Sequence, residues 1–174
     1  HPMAQTWAEI DLQALKHNYV YAKEQTNKKV MCVIKADAYG HGAVGCGLYL
    51  QSIGADAFAV ARLQEALELR EAGVTLPMLI LGYTDPAYAP VLGRHGITQA
   101  VQDEASAQAL AAEARAAGIE IDVHVKIDTG LGRTGIFAQT PESCGAAAEE
   151  IQRIYGLPGL QVKGLFTHFA ASDA

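Results

Sequence analysis

The sequence predicts an α/β fold of about six parallel strands alternating with helices, and three observations carry that prediction. Six short apolar runs, at 30–35, 57–61, 77–82, 98–101, 122–128 and 162–168, are nearly continuous, as parallel strands buried on both faces are. The stretches between them, at about 42–53, 62–72, 86–95, 103–117 and 141–155, have helical patterning. Strand starts recur every 20 to 40 residues, so the repeating unit is a strand followed by a helix. Such a series fits either an open doubly wound sheet or part of a (β/α)8 barrel, and the pattern leaves both open. No G-x-G-x-x-G follows a strand, which counts against a dinucleotide site.

Punctuation agrees with this division. Gly54, Gly73, Gly96, Gly118 and Gly156 each follow a helical stretch, where a left-handed residue is cheapest as glycine. Asp103 and Thr140 stand at N-cap positions, and Pro141 takes a favoured first helical position. Ahead of the repeats, 6–10 (TWAEI) reads as a strand and 12–26 as a helix capped by Asp11. His1-Pro2 before Met3 reads as a remnant foreign to the fold.

Composition bounds the function. Half of the 174 residues are hydrophobic and 18% are charged, so a real core is expected. A net charge of −6 argues against a nucleic-acid or anionic-membrane surface, since both want clustered basic residues. No apolar run approaches a membrane span and no signal-peptide pattern opens the chain. Cys32, Cys46 and Cys144 lack metal spacing; they read as reduced thiols of a cytoplasmic protein, with no metal site.

Candidate chemistry sits at the C-terminal ends of strands, where βα loops gather catalytic groups in barrels. Lys35 closes Val30-Met31-Cys32-Val33-Ile34 and opens Ala36-Asp37-Ala38-Tyr39-Gly40-His41-Gly42. A buried strand exit keeps water from an amine, and desolvation disfavours the ammonium form that cannot attack a carbonyl. Tyr39 can present a neutral hydroxyl donor from the same loop. Arg133 lies in a glycine-rich turn, Asp128 to Gly135, suited to an anionic oxygen. Lys126, among apolar strand neighbours, needs a partner or a modification that removes its charge. His168 closes the sixth strand. His17 reads as surface, and His41, His95 and His124 lack comparable placement.

Four segments in order resemble the N-terminal part of alanine racemases and of the related serine racemase domains. They are Trp7-Ala-Glu-Ile-Asp-Leu12 with His17-Asn18, Val33 to Gly42, Val125 to Arg133, and Gly164-Leu-Phe-Thr-His168. The resemblance implies an incomplete pyridoxal 5'-phosphate (PLP)-binding (β/α)8 TIM-type barrel over 4–174. It implies that Lys35 forms the Schiff base with PLP and is one of two catalytic bases. Tyr39 would hold the phosphate, Arg133 the phenolic oxygen or the substrate carboxylate side, and His168 the pyridine ring, with Val33 lining the wall beneath. Lys126 matches a lysine often carbamylated, whose anion would orient Arg133.

The implied activity is interconversion of L- and D-alanine, or serine, for bacterial peptidoglycan. Family members are about twice as long, and their C-terminal β domain supplies the opposite-face tyrosine from the partner of a homodimer. The resemblance thus makes this chain a fragment of little activity, inclined to self-associate through its open sheet edge. It also admits the cytoplasmic domain of a membrane-bound racemase. Two alternatives share a strand-end lysine: a barrel-type PLP decarboxylase, and a non-catalytic PLP carrier.

Overall fold

A computed structural model describes residues 6–172 of the chain, so the reading of residues 1–3 lies outside the described residues. The chain divides into two compact units, His1–Met78 and Leu79–Ala174.

In the first unit, α1 (Leu12–Thr26) starts where the Asp11 carboxylate accepts the N–H groups of Gln13 and Ala14, at 2.8 and 3.1 Å. Residues 6–10 are not the expected strand: they carry no regular structure, and Trp7 is exposed. Strand β1 (Met31–Val33) pairs in parallel with β2 (Ala57–Val60), Cys32 opposite Phe58. Helices α3 (Ala43–Ser52) and α4 (Leu63–Glu71) bury Leu50, Ala66 and Leu69 with Phe58 and Val74. Gly47 permits this approach, because a Cβ there would lie 3.3 Å from a Leu69 methyl. Strand β3 (Met78–Ile80) is wholly buried.

The second unit opens its helical series with a 3-10 turn (Pro86–Tyr88) that runs into α5 (Ala89–Arg94). Strand β4 (Ile97–Val101) pairs with β5 (Ile121–Asp128), and β5 pairs with β7 (Leu160–Thr167), all in parallel. A two-residue strand the sequence did not announce, β6 (Ile136–Phe137), pairs with Ile127 and Asp128. Helix α6 (Glu104–Ala116) buries Ala107, Leu110, Ala111 and Ala114, the spacing of one helical face. Its cap is Asp103, which accepts the Ser106 N–H at 2.7 Å. Thr140 likewise caps α7 (Pro141–Tyr155), with proline first in the helix.

Two expectations need correction. Not every strand is buried on both faces: β1 leaves Met31 and Val33 exposed, and β7 alternates, whereas β3 and β4 are covered. Gly54, Gly73, Gly96 and Gly118 do take positive φ, but Gly156 has φ −81°. Its own N–H already serves the Gln152 and Arg153 carbonyls, so no left-handed reversal is needed there. Among the described residues, no helix is long and apolar enough to cross a membrane.

Gly145, inside α7, has nothing within 4 Å of an added Cβ and is exposed. Gly145→Ala is therefore expected to stabilise the fold by about 0.5–1 kcal/mol, read as a higher urea midpoint at unchanged slope.

Candidate active site

Within the first unit, β1 stops at Val33, and Ile34 still donates its N–H to Ala59 O at 2.9 Å. The chain then winds into α2 (Lys35–Gly40), a single turn of the wrong hand. Ala36, Asp37, Ala38 and Tyr39 have φ of 51, 53, 52 and 56°, with ψ between 37 and 51°. The sequence reading has a loop here. Each residue bearing a Cβ costs about 1–2 kcal/mol in this region, so the turn must be held by its surroundings.

Several bonds hold it. Ala38 N–H donates to Ile34 O at 3.0 Å, and Gly42 N–H to Asp37 O at 2.9 Å. The Asp37 carboxylate accepts the Ala43 N–H at 2.7 Å, tying the turn to the start of α3. The Glu65 carboxylate of α4 accepts the Ala36 N–H at 2.7 Å. Gly40 and Gly42, both at positive φ, then reverse the chain.

Lys35 opens this turn half-buried, which corrects the expectation of an amine enclosed by its strand. The cause is the open face of β1, where Val33 is 43% exposed. Tyr39 is 60% exposed, and its hydroxyl makes no hydrogen bond among the described residues. Val33 and Tyr39 border a cleft of about 430 Å³ that also touches Ile10, Asn18, His41 and Cys46. Burial, then the nearby Asp37 charge, pushes the Cys46 thiol up, so it is no candidate nucleophile.

The second unit assembles the other candidates around the ends of β5 and β7. Lys126, 8% exposed, donates from Nζ to Thr134 Oγ1 at 2.7 Å. One Asp128 carboxylate oxygen accepts the N–H groups of Gly130 and Gly132, at 3.1 and 3.0 Å, and so shapes the glycine-rich loop. Arg133 projects from that loop, exposed, with no ion pair among the described residues. The Thr129 and Thr167 hydroxyls meet at 2.7 Å, joining the loop after β5 to the end of β7. His168 follows at once, exposed, its Nδ1 2.8 Å from Phe169 O. Val33, Lys35 and Tyr39 thus belong to one unit, and Lys126, Arg133 and His168 to the other.

A bulge in β7 sets the position of His168. Val162 faces Val123 but Gly164 faces His124, so β7 gains one residue and everything after it shifts. Gly164 allows this because an added Cβ would lie 3.0 Å from the His124 ring. Burial lowers the His124 pKa, with Asp122 opposing, and the tilted ring contacts Phe166 as a packing group.

The two backbone N–H bonds hold the Asp128 carboxyl below the usual carboxylate range, with the Lys126 charge adding to them. A depressed folded pKa contributes stability above the unfolded value, near 3.9, that is lost as pH falls through the folded one. Asp128→Ala is therefore expected to lower the unfolding midpoint at neutral pH, with the gap from the parent chain closing on acidification below about pH 4.

Sequence reasoning missed Asp37, Glu65 and Asp128 as organisers of these loops. Asp128 was legible, since an aspartate before Thr-Gly-Leu-Gly is an Asx-turn signal. Glu65 stands three residues into α4, a capping position, but its bond to Ala36 spans 29 residues and leaves no local trace.

A family model described as alanine racemase, N-terminal domain, matches residues 10–174. An alanine racemase of Desulfovibrio desulfuricans is 44% identical over 170 residues, covering 97% of this chain and 44% of that protein. Among solved structures, an alanine racemase of Clostridium difficile 630 matches with a TM-score of 0.87 at 40% identity, over 100% of this chain and 45% of that one. A histidine racemase from Leuconostoc mesenteroides subsp. sake matches with a TM-score of 0.83 at 34% identity, over 98% and 45%. The chain therefore spans less than half the length of these relatives. Its fold class is the expected one, parallel strands alternating with helices as in the N-terminal part of a TIM-type barrel.

Proposed function

The chain belongs to the family of alanine racemase N-terminal domains, and from that premise we propose that it is the lysine-bearing part of a PLP-dependent amino-acid racemase. The observation that carries this reading is the left-handed turn at the exit of β1, which brings Lys35 and Tyr39, whose hydroxyl makes no hydrogen bond among the described residues, into one short segment. A strained turn kept at a strand end is the mark of a position chosen for chemistry rather than for stability.

The residues fit the cofactor. In the first unit, a half-buried primary amine and a phenol without a hydrogen bond among the described residues suit an aldehyde and a phosphate; in the second, an exposed guanidinium and imidazole are of the kinds that suit anionic oxygens and an aromatic ring. When bound, PLP draws electron density from the Cα of an amino acid, so that its proton becomes removable. Lys35 anchors the cofactor and moves that proton on one face through Nζ. Tyr39 donates its hydroxyl to the phosphate, and Val33 bounds the cleft. Within the second unit, Arg133 would offer its guanidinium to an anionic oxygen and His168 its imidazole to an aromatic ring. Lys126 gains a carbamate when its neutral amine adds to carbon dioxide and releases a proton. The anion then takes up Arg133.

Racemisation needs an acid/base group on the second face, and Lys35 serves only one. We assign that group to the rest of the complete protein, acting as a homodimer. Alanine is the substrate the relatives' names favour, and serine is the alternative the sequence resemblance admits. Because the histidine racemase carries a similar portion, we place substrate selection outside it. The product class is D-amino acids for the cell wall.

The test is borohydride reduction of the chain with PLP, followed by peptide mapping. A phosphopyridoxyl group on Lys35 is the expected result. Label on other lysines with none on Lys35 would end the reading. In the complete protein, D/L exchange of alanine separates a racemase from a carrier that binds PLP without turnover.

A further inference from the structure

Among the described residues, Glu65 is the one group beyond Ile34–Ala43 that hydrogen-bonds the left-handed residues Ala36–Tyr39, and its chemistry is specific. Glu65 uses both carboxylate oxygens: Oε1 accepts the Ala36 N–H at 2.7 Å, and Oε2 accepts the N–H groups of Ala61 at 2.6 Å and Arg62 at 3.2 Å. One side chain therefore joins the residue after Lys35 to the end of β2 and the start of α4. Only an anion with two equivalent acceptors can do this. An amide of the same shape must point its NH2 at one set of N–H donors.

We infer that Glu65 is a positioning residue for Lys35, its carboxylate holding the turn that aims the amine. This rests on the reading of Lys35 as the cofactor lysine, and it makes a demand that reading does not. Without the bond to Glu65, nothing outside Ile34–Ala43 holds the Ala36 N–H, and the first left-handed residue is free to revert. The other recorded bonds of the turn run within Ile34–Ala43, and the bond from Ile34 N–H to Ala59 O fixes against β2 only the residue that precedes the turn.

Two readouts on the full 174-residue chain test this. The first is amide hydrogen exchange over residues 35–42 without cofactor. The second is the rate at which PLP and borohydride label Lys35. Glu65→Gln should speed exchange across the turn and slow Lys35 labelling by roughly tenfold or more. Glu68→Gln, one turn further along α4, should change neither. A packing role alone would be rescued by the isosteric amide, so unchanged exchange and labelling in Glu65→Gln would overturn the inference.

If Glu65→Gln proves too unstable to measure, Ala36→Gly in the same background decides. Glycine removes the Cβ penalty of the left-handed region, so it should restore labelling if the turn is what Glu65 supports. Failure to restore it in a folded double variant would place the whole effect at the start of α4 and overturn the inference. Should the parent chain leave Lys35 unlabelled, the cofactor reading fails and the exchange arm still judges Glu65 by itself.

Discussion

Lys35→Ala in the complete protein is expected to abolish racemisation and leave the fold intact. The side chain is half-buried and projects from a turn whose recorded bonds are made by backbone groups and by Asp37, His41 and Glu65. Its removal therefore opens no sealed cavity. On the proposed reading it would delete the covalent anchor for PLP together with one of the two proton-transfer groups. Loss of a positioned acid/base group alone costs about 10²–10⁴ in rate, and loss of the anchor adds to it. Lys29→Ala, at an exposed lysine just before β1, is the control and should behave as the parent. Circular dichroism and D/L exchange read the two halves of this expectation. Retained turnover in Lys35→Ala would place the chemistry elsewhere.

The second large effect is structural. Gly135→Ala should destabilise the second unit by roughly 2–5 kcal/mol. Gly135 has φ +124°, where side-chain-bearing residues strain, and an added Cβ would meet Asp128 N at 2.9 Å and Lys126 O at 3.0 Å. Both are backbone atoms of a central strand, so neither can move aside. The loop would have to lift from β5, breaking the register of β6 and the bond from Lys126 to Thr134. Urea unfolding gives the stability directly. A shift no larger than that of a surface substitution would mean the loop is softer than its contacts imply.

Much of the architecture was legible because it repeats. The apolar runs at 57–61, 77–82 and 98–101 are strands with both faces covered, and period and burial reinforce each other there. Caps at Asp11, Asp103 and Thr140 were readable because each acts on its own next three residues. What stayed hidden depends on partners distant in sequence or on backbone hand. The stretch 6–10 reads as a strand, yet among the described residues it pairs with none. The bulge opposite His124 had a signal in Gly164, a glycine within a strand, but its partner lies 40 residues away. Lys35, Tyr39, Arg133 and His168 were found by their place after strands and by family resemblance. Of their supports, Asp128 has a local signal in its Asx turn, whereas the bond of Glu65 to Ala36 spans 29 residues and has none.

The hand of the turn after β1 also sets an order of events as the chain folds. A segment of Ala-Asp-Ala-Tyr has no local preference for left-handed backbone, so it cannot nucleate structure and gains nothing until its holders are in place. Those holders are the end of β2 and the first turn of α4, both later in the sequence. The amine is thus aimed last. Substitutions at 36–39 should register in the unfolding rate and leave the folding rate nearly untouched. A newly made chain would reach its compact state before it could capture an aldehyde at Lys35, which separates acquisition of shape from acquisition of the cofactor.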